Sequence, residues 1–169
     1  MLSFSIAAKI SRQMPLVFQY GSNCDAAEFN SQERLDGRAV DLGAARTVEI
    51  FEFAFDKQSV KRGCAAADLI EGETERAIWG VLYEISDNDL KKLGDKIEGP
   101  SYQPASIYVE NRSGEIVLAT TFVVKAARRQ KNLFTNAQYV GHIVSGLRSH
   151  GVPEEYVQHI IYTALNTKN

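Results

Sequence analysis

Short apolar runs broken by Gly and small polar residues dominate the first half of the chain, and helical spacing dominates the end. Leu16-Val17-Phe18-Gln19-Tyr20 combines β-branched and aromatic residues and stops at Gly21-Ser22-Asn23, which predicts a buried strand ending in a turn. Residues 25–35 predict a helix, with Asn23 or Asp25 at its start and Gly37 beyond its end. From Ala45 to Phe55 the apolar residues partly alternate, but the phase slips at Ile50-Phe51, which predicts a bulge. Residues 56–62 are polar and basic and predict a loop. Residues 63–70 admit two readings: the triple alanine favours helix by propensity, and a short strand is the alternative.

Ala77–Ile85 is the clearest strand pattern, and Gly80 inside it implies a close approach by something else. Ser86 then suits the N-cap of a helix bearing Leu90, Leu93 and Ile97, which Gly99-Pro100 stops. Residues 107–109 and 116–124 flank the hairpin signal Asn111-Arg112-Ser113-Gly114. Thr135 through Gln138 has capping-box spacing before a helix with Val140, Ile143, Val144 and Leu147. Pro153 opens a last helix with Tyr156, Ile160 and Ile161 inward. Strands, helix, hairpin and two helices in that order predict an α+β fold rather than a βαβ repeat.

The 169 residues suit one domain; residues 1–13 read as an N-terminal extension to a domain over 14–169, or Met14 is the true start. A net charge of −2 gives no case for nucleic acid or an anionic membrane surface. No apolar run has the length of a membrane span. Cys24 and Cys64 stand far apart with no metal-ligand spacing, so a reduced, cytoplasmic protein is expected, with no metal.

Glu98 is the leading catalytic candidate. It ends a helix whose apolar face is inward, where partial burial would raise its pKa toward that of a general base at neutrality. The bland alternative is a solvated helix-end carboxylate. His142, His150 and His159 have no ligand partners by spacing and read as surface or packing residues. Ser22 lacks a nucleophile-elbow context, and Cys24 reads as a buried structural thiol. Lys91-Lys92 and Arg128-Arg129 read as solvated charge pairs.

Four ordered blocks carry a family resemblance. They are Phe18-Gln19-Tyr20-Gly21-Ser22-Asn23; Ile78-Trp79-Gly80-Val81-Leu82-Tyr83; Leu93 through Glu98-Gly99 with Tyr102; and Gln138-Tyr139, Gly146-Leu147 and Gly151-Val152-Pro153-Glu154-Glu155-Tyr156. Together they resemble the gamma-glutamylcyclotransferase-like family over about residues 16–160.

The resemblance implies a small mixed β-barrel flanked by helices, with a strand rather than a helix over 63–70. It implies a lyase-type reaction in which the α-amine of a γ-glutamyl amine or amino acid closes on its own γ-carbonyl, giving 5-oxoproline and a free amine without cofactor. Glu98 would be base and acid, and Tyr20, Gly21, Ser22, Asn23, Gly63, Cys64 and Tyr102 would bind substrate. Gly94 after Leu93 and the two cysteines depart from the family pattern. The alternatives are a pathway-specific γ-glutamyl-removing enzyme or acyltransferase on the same fold, and a non-catalytic binding domain. The expected partner is a small γ-glutamyl substrate, and the expected state a monomer or homodimer.

Overall fold

The computed structural model of the protein describes residues 13–167, so all of the expected extension except Gln13 lies outside the described residues. Six strands follow in order: β1 (Leu16–Gln19), β2 (Val40–Ser59), β3 (Cys64–Ile70), β4 (Arg76–Glu84), β5 (Tyr102–Glu110) and β6 (Ile116–Val124). Four of the neighbouring pairs run in the order β2-β4-β1-β6-β5. The ring closes where β5 returns to β2 through Arg46↔Glu110 and Thr47↔Val109. This is a five-stranded closed barrel, antiparallel except at Val17↔Thr120 between β1 and β6. Closure leaves these strands without free edges. Phe18, Ile78, Leu82, Ile107 and Val109 are buried in its core, each contributing roughly 2 kcal/mol of apolar burial.

β2 is twenty residues long because it serves two partners. Its first part belongs to the barrel, and residues Glu52–Ser59 pair with β3 beyond the barrel's edge. The phase slip in the sequence coincides with a register shift against β4 between Arg46 and Ile50. There the Thr47 hydroxyl accepts from the Ile78 amide at 2.9 Å and donates to the Glu49 carbonyl, replacing ladder bonds lost at the bulge. The expected loop over 56–62 is corrected: strand pairing persists to Ser59 through a second irregularity between Phe55 and Lys57. Residues 64–70 form a strand, since pairing with β2 and burial of Ala65–Ala67 override alanine's helical propensity.

The helices are α1 (Ala26–Phe29), α2 (Asp87–Lys92), α3 (Ala137–Ser149) and α4 (Glu154–Leu165). α1 is one turn, not the predicted eleven residues. Asp25 caps it, and the chain then reaches the buried Leu35 through turns ending at Gly37, φ 77°. α3 is capped by Asn136, whose side chain accepts from the Tyr139 amide, rather than by Thr135 one residue earlier. α2 starts at Ser86 as expected and then widens into a π-helix over Leu93–Glu98, with the Gly99 amide bonded back to the Gly94 carbonyl. Gly99 (φ 79°, ψ −173°) adopts a conformation open essentially to glycine, which ends the helix directly after Glu98.

Two glycines clamp the first strand and its turn. A Cβ on Gly80 would lie 2.2 Å from the Gln19 carbonyl oxygen and 2.7 Å from Phe18 Cζ. One on Gly146 of α3 would lie 2.2 Å from the Cys24 carbonyl carbon. Gly146→Ala should therefore destabilise the fold by about 3 kcal/mol, because backbone rather than a flexible side chain must move. A urea midpoint equal to wild type would contradict that packing.

Candidate active site

Where β1 ends, Ser22–Cys24 forms a single 3₁₀ turn that α3 packs against. The turn, the π-helix end at Glu98, the β2–β3 hairpin and Tyr139 of α3 enclose a cavity of about 520 Å³. Tyr20, Gly21, Ser22, Asn23, Glu98 and Tyr102 all line it, so two segments some seventy-five residues apart in sequence meet at one cavity. Gly63 and Cys64 do not line it. Gly63 (φ 66°) makes the hairpin turn and Cys64 is buried at the start of β3, while Ala66 and Ala67 supply that wall instead.

Gly21 does not use the positive φ for which glycine is suited; its φ is −100°. A Cβ there would sit 3.4 Å from both the Ala67 Cβ and the Tyr139 hydroxyl. The missing side chain keeps the cavity open. No side chain caps the turn at Gly21, and the leading N–H groups of such a turn have no acceptor within it.

Glu98 is half-buried, and removal of its carboxyl from water pushes its pKa up to about 7. Arg34, Lys57 and Arg62 oppose the shift through space. Its hydrogen-bond partner is Asn23, whose amide nitrogen lies 3.4 Å from Oε1 and 3.2 Å from the Gln19 side-chain oxygen. Arg34 donates to the Asn23 side-chain oxygen at 2.9 Å, which fixes which end of the amide faces Glu98. Arg34 and Arg62 share Glu28, at 3.3 and 2.5 Å, and Arg62 also donates to the Ser22 hydroxyl at 3.2 Å. Glu28 is held below the usual carboxylate range by Arg62 and Arg34, despite partial burial.

Three tyrosines act as walls. Tyr20 donates to the Phe122 carbonyl, Tyr102 to the Ala67 carbonyl at 2.8 Å, and the Tyr139 hydroxyl accepts from the Ala67 amide at 2.9 Å. Burial raises the pKa of all three, so they stay protonated. The Tyr102 phenol is thus committed to backbone. The Cys24 thiol is buried, donates to the Gln19 carbonyl and is pushed far up by desolvation, which makes it structural.

Gln19, Arg34, Lys57, Arg62 and Tyr139 escaped the sequence reading. Gln19 carried a signal: a polar side chain in an otherwise apolar strand. It is buried, and its amide nitrogen has no partner among the described residues. Arg34 and Arg62 sit in irregular turns with no periodicity to flag them. Arg129, expected in a solvated pair, instead ion-pairs at 2.7 Å with the fully buried Asp68.

The AIG2-like family matches residues 77–160, a span that carries Glu98 and both C-terminal helices. This match places the second half of the chain in the AIG2-like family, in keeping with the gamma-glutamylcyclotransferase-like resemblance of its sequence blocks. Among solved structures, one titled gamma-glutamyl cyclotransferase superposes with TM-score 0.75 at 19% identity, over 88% of this chain and 87% of that one. An uncharacterised human protein gives TM-score 0.76 at 19% identity over the same shares. YkqA from Bacillus subtilis gives 0.75 at 22% identity, over 94% of this chain and 57% of YkqA. No curated protein sequence matches. At these identities the structures establish the family's barrel fold for this chain. Among the described residues no helix is long and apolar enough to cross a membrane.

The raised pKa has a consequence for folding. A carboxyl whose folded pKa lies near 7 opposes folding once the unfolded chain ionises, above about pH 4.3, and fully so above pH 7. Glu98→Gln should thus raise stability by about 2 kcal/mol at pH 8 and leave it nearly unchanged at pH 4. Thermal melts across that range check the sign; a gain confined to acid pH would contradict it.

Proposed function

We propose that the protein is a γ-glutamyl cyclotransferase that converts a γ-glutamyl amine or amino acid into 5-oxoproline and the free amine. The observation that carries this reading is one carboxylate with a pKa of about 7 facing the Gly21–Asn23 turn across a shared cavity.

Each part of the reaction has a matching group. The α-ammonium of the substrate docks beside Glu98, which takes one proton from it. The freed amine attacks the γ-carbonyl carbon and forms the ring C–N bond. Ring closure is intramolecular, so the cavity's main contribution is to hold the folded conformer, a positional effect that contributes several kcal/mol in well-oriented systems. The tetrahedral oxyanion meets N–H donors of the Gly21–Asn23 turn, and the unpartnered Gln19 amide gives a further donor in the same wall. Glu98 delivers its proton to the leaving nitrogen as the old amide C–N bond breaks. Glu98 then takes the second proton from the ring nitrogen and passes it to the departing amine, so two protons leave the attacking nitrogen, two arrive on the departing one, and no water is consumed. A base with pKa near 7 is half ionised at neutrality and is suited to both transfers.

Asn23 and Arg34 position Glu98 rather than react. Glu98→Gln should lower 5-oxoproline release at least 1,000-fold while the protein stays folded, and wild-type kcat/KM should fall below about pH 7 as Glu98 protonates. Mass spectrometry of 5-oxoproline from a panel of γ-glutamyl dipeptides tests the reading. Release from none of them, or undiminished release by Glu98→Gln, would overturn it.

A further inference from the structure

The charge on the cavity wall says what lies beyond the γ-glutamyl group; this rests on the reading of the site just given. The lining holds six of the chain's 19 Lys and Arg (Arg34, Lys57, Lys61, Arg62, Lys96 and Arg128) and one of its 21 Asp and Glu, Glu98. Glu28 and Glu33, just outside the lining, answer Arg34, Arg62 and Lys61, which leaves Lys57, Lys96 and Arg128 against the single carboxylate of Glu98. Positive charge is concentrated in this lining, well beyond what composition would place there. A cavity lined by one sign of charge focuses potential and selects the opposite sign.

Lys61 is exposed and paired with Glu33 at 3.5 Å, and the other five cations fall into two groups. Arg34 and Arg62 are mostly buried, share Glu28, and bind Asn23 and Ser22, so they belong to the support of the turn. Lys57, Lys96 and Arg128 have no acidic partner among the described residues. Lys57 lies over the Tyr102 ring at 5.8 Å, and Lys96 and Arg128 are exposed. The reacting end of a substrate must sit inside, between Glu98 and the turn. Its leaving portion then meets the remainder of the lining, to which Lys57, Lys96 and Arg128 belong.

A γ-glutamyl head is close to neutral there, its α-ammonium facing Glu98 and its α-carboxylate facing the turn. A single further carboxylate would match one cation and leave the rest unmatched. We infer that the leaving amine carries at least two carboxylates, as an acidic amino acid or acidic peptide does, and that Lys57, Lys96 and Arg128 form its subsite. A cationic leaving group would meet repulsion along the same path.

The test compares γ-glutamyl-glutamate, γ-glutamyl-alanine and γ-glutamyl-lysine. Calorimetric affinities on Glu98→Gln protein are set beside wild-type kcat/KM from 5-oxoproline release. Two or three well-placed charges in a partly screened opening predict about tenfold preference for γ-glutamyl-glutamate over γ-glutamyl-alanine, with γ-glutamyl-lysine weakest. The preference should shrink as salt rises from about 0.05 to about 0.5 M. Lys57→Gln combined with Arg128→Gln should cut affinity for γ-glutamyl-glutamate about tenfold and for γ-glutamyl-alanine less than threefold. Equal affinity for the three dipeptides, or a preference untouched by salt and by the double variant, would overturn the inference while 5-oxoproline release left the proposed reaction standing. Acid-selective binding without any 5-oxoproline would keep the subsite and remove the reaction, and absence of both would remove the two together.

Discussion

The structure turns on how a carboxylate is kept out of water without being neutralised by a direct ion pair. Desolvation raises Glu98, and the three nearby cations that oppose this are each engaged elsewhere: Arg34 and Arg62 with Glu28, Lys57 with the Tyr102 ring. A direct guanidinium contact would pull the acid down to a pKa at which it could no longer take up a proton near neutrality. The amide of Asn23 contacts it without charge at 3.4 Å and leaves it able to gain or lose a proton. Glu28 therefore matters to the site without lining the cavity: by absorbing the charge of two arginines, it preserves the basicity of an acid seventy residues away.

The scaffold holds this arrangement through close backbone contacts rather than large side chains. Gly80 lets β4 meet the end of β1, and Gly146 lets α3 press on the turn that follows. The π-helical end of the helix and the glycine-only conformation of Gly99 set where Glu98 stops. Such π turns recur at functional sites because one extra residue per turn re-aims a side chain that an α-helix would direct elsewhere.

Much of this was legible from residue order alone, and the failures have physical causes. β1, β4, the start of α2 and the C-terminal helices follow local rules of propensity, capping and periodicity. Glu98 and the Gly21–Asn23 turn stood out because a carboxylate before Gly-Pro and a strand ending in small polar residues are unusual locally. The strand over 64–70 was hidden because pairing with β2, not alanine's own preference, decides it. The far end of β2 was hidden because residues 56–59 are polar on a strand that has left the barrel. The arginine cluster could not be read because Arg34, Arg62 and Glu28 meet only through tertiary structure.

That outer part of β2, with β3, stands outside the closed ring of five strands. Its tip bears Lys61 and Arg62, with Lys57 further down β2. Changes in length at the tip would leave every barrel pairing intact. Arg62 is the exception at that tip: through Ser22 and Glu28 it ties the hairpin to the turn facing Glu98, so a change there reaches the acid although the barrel does not move.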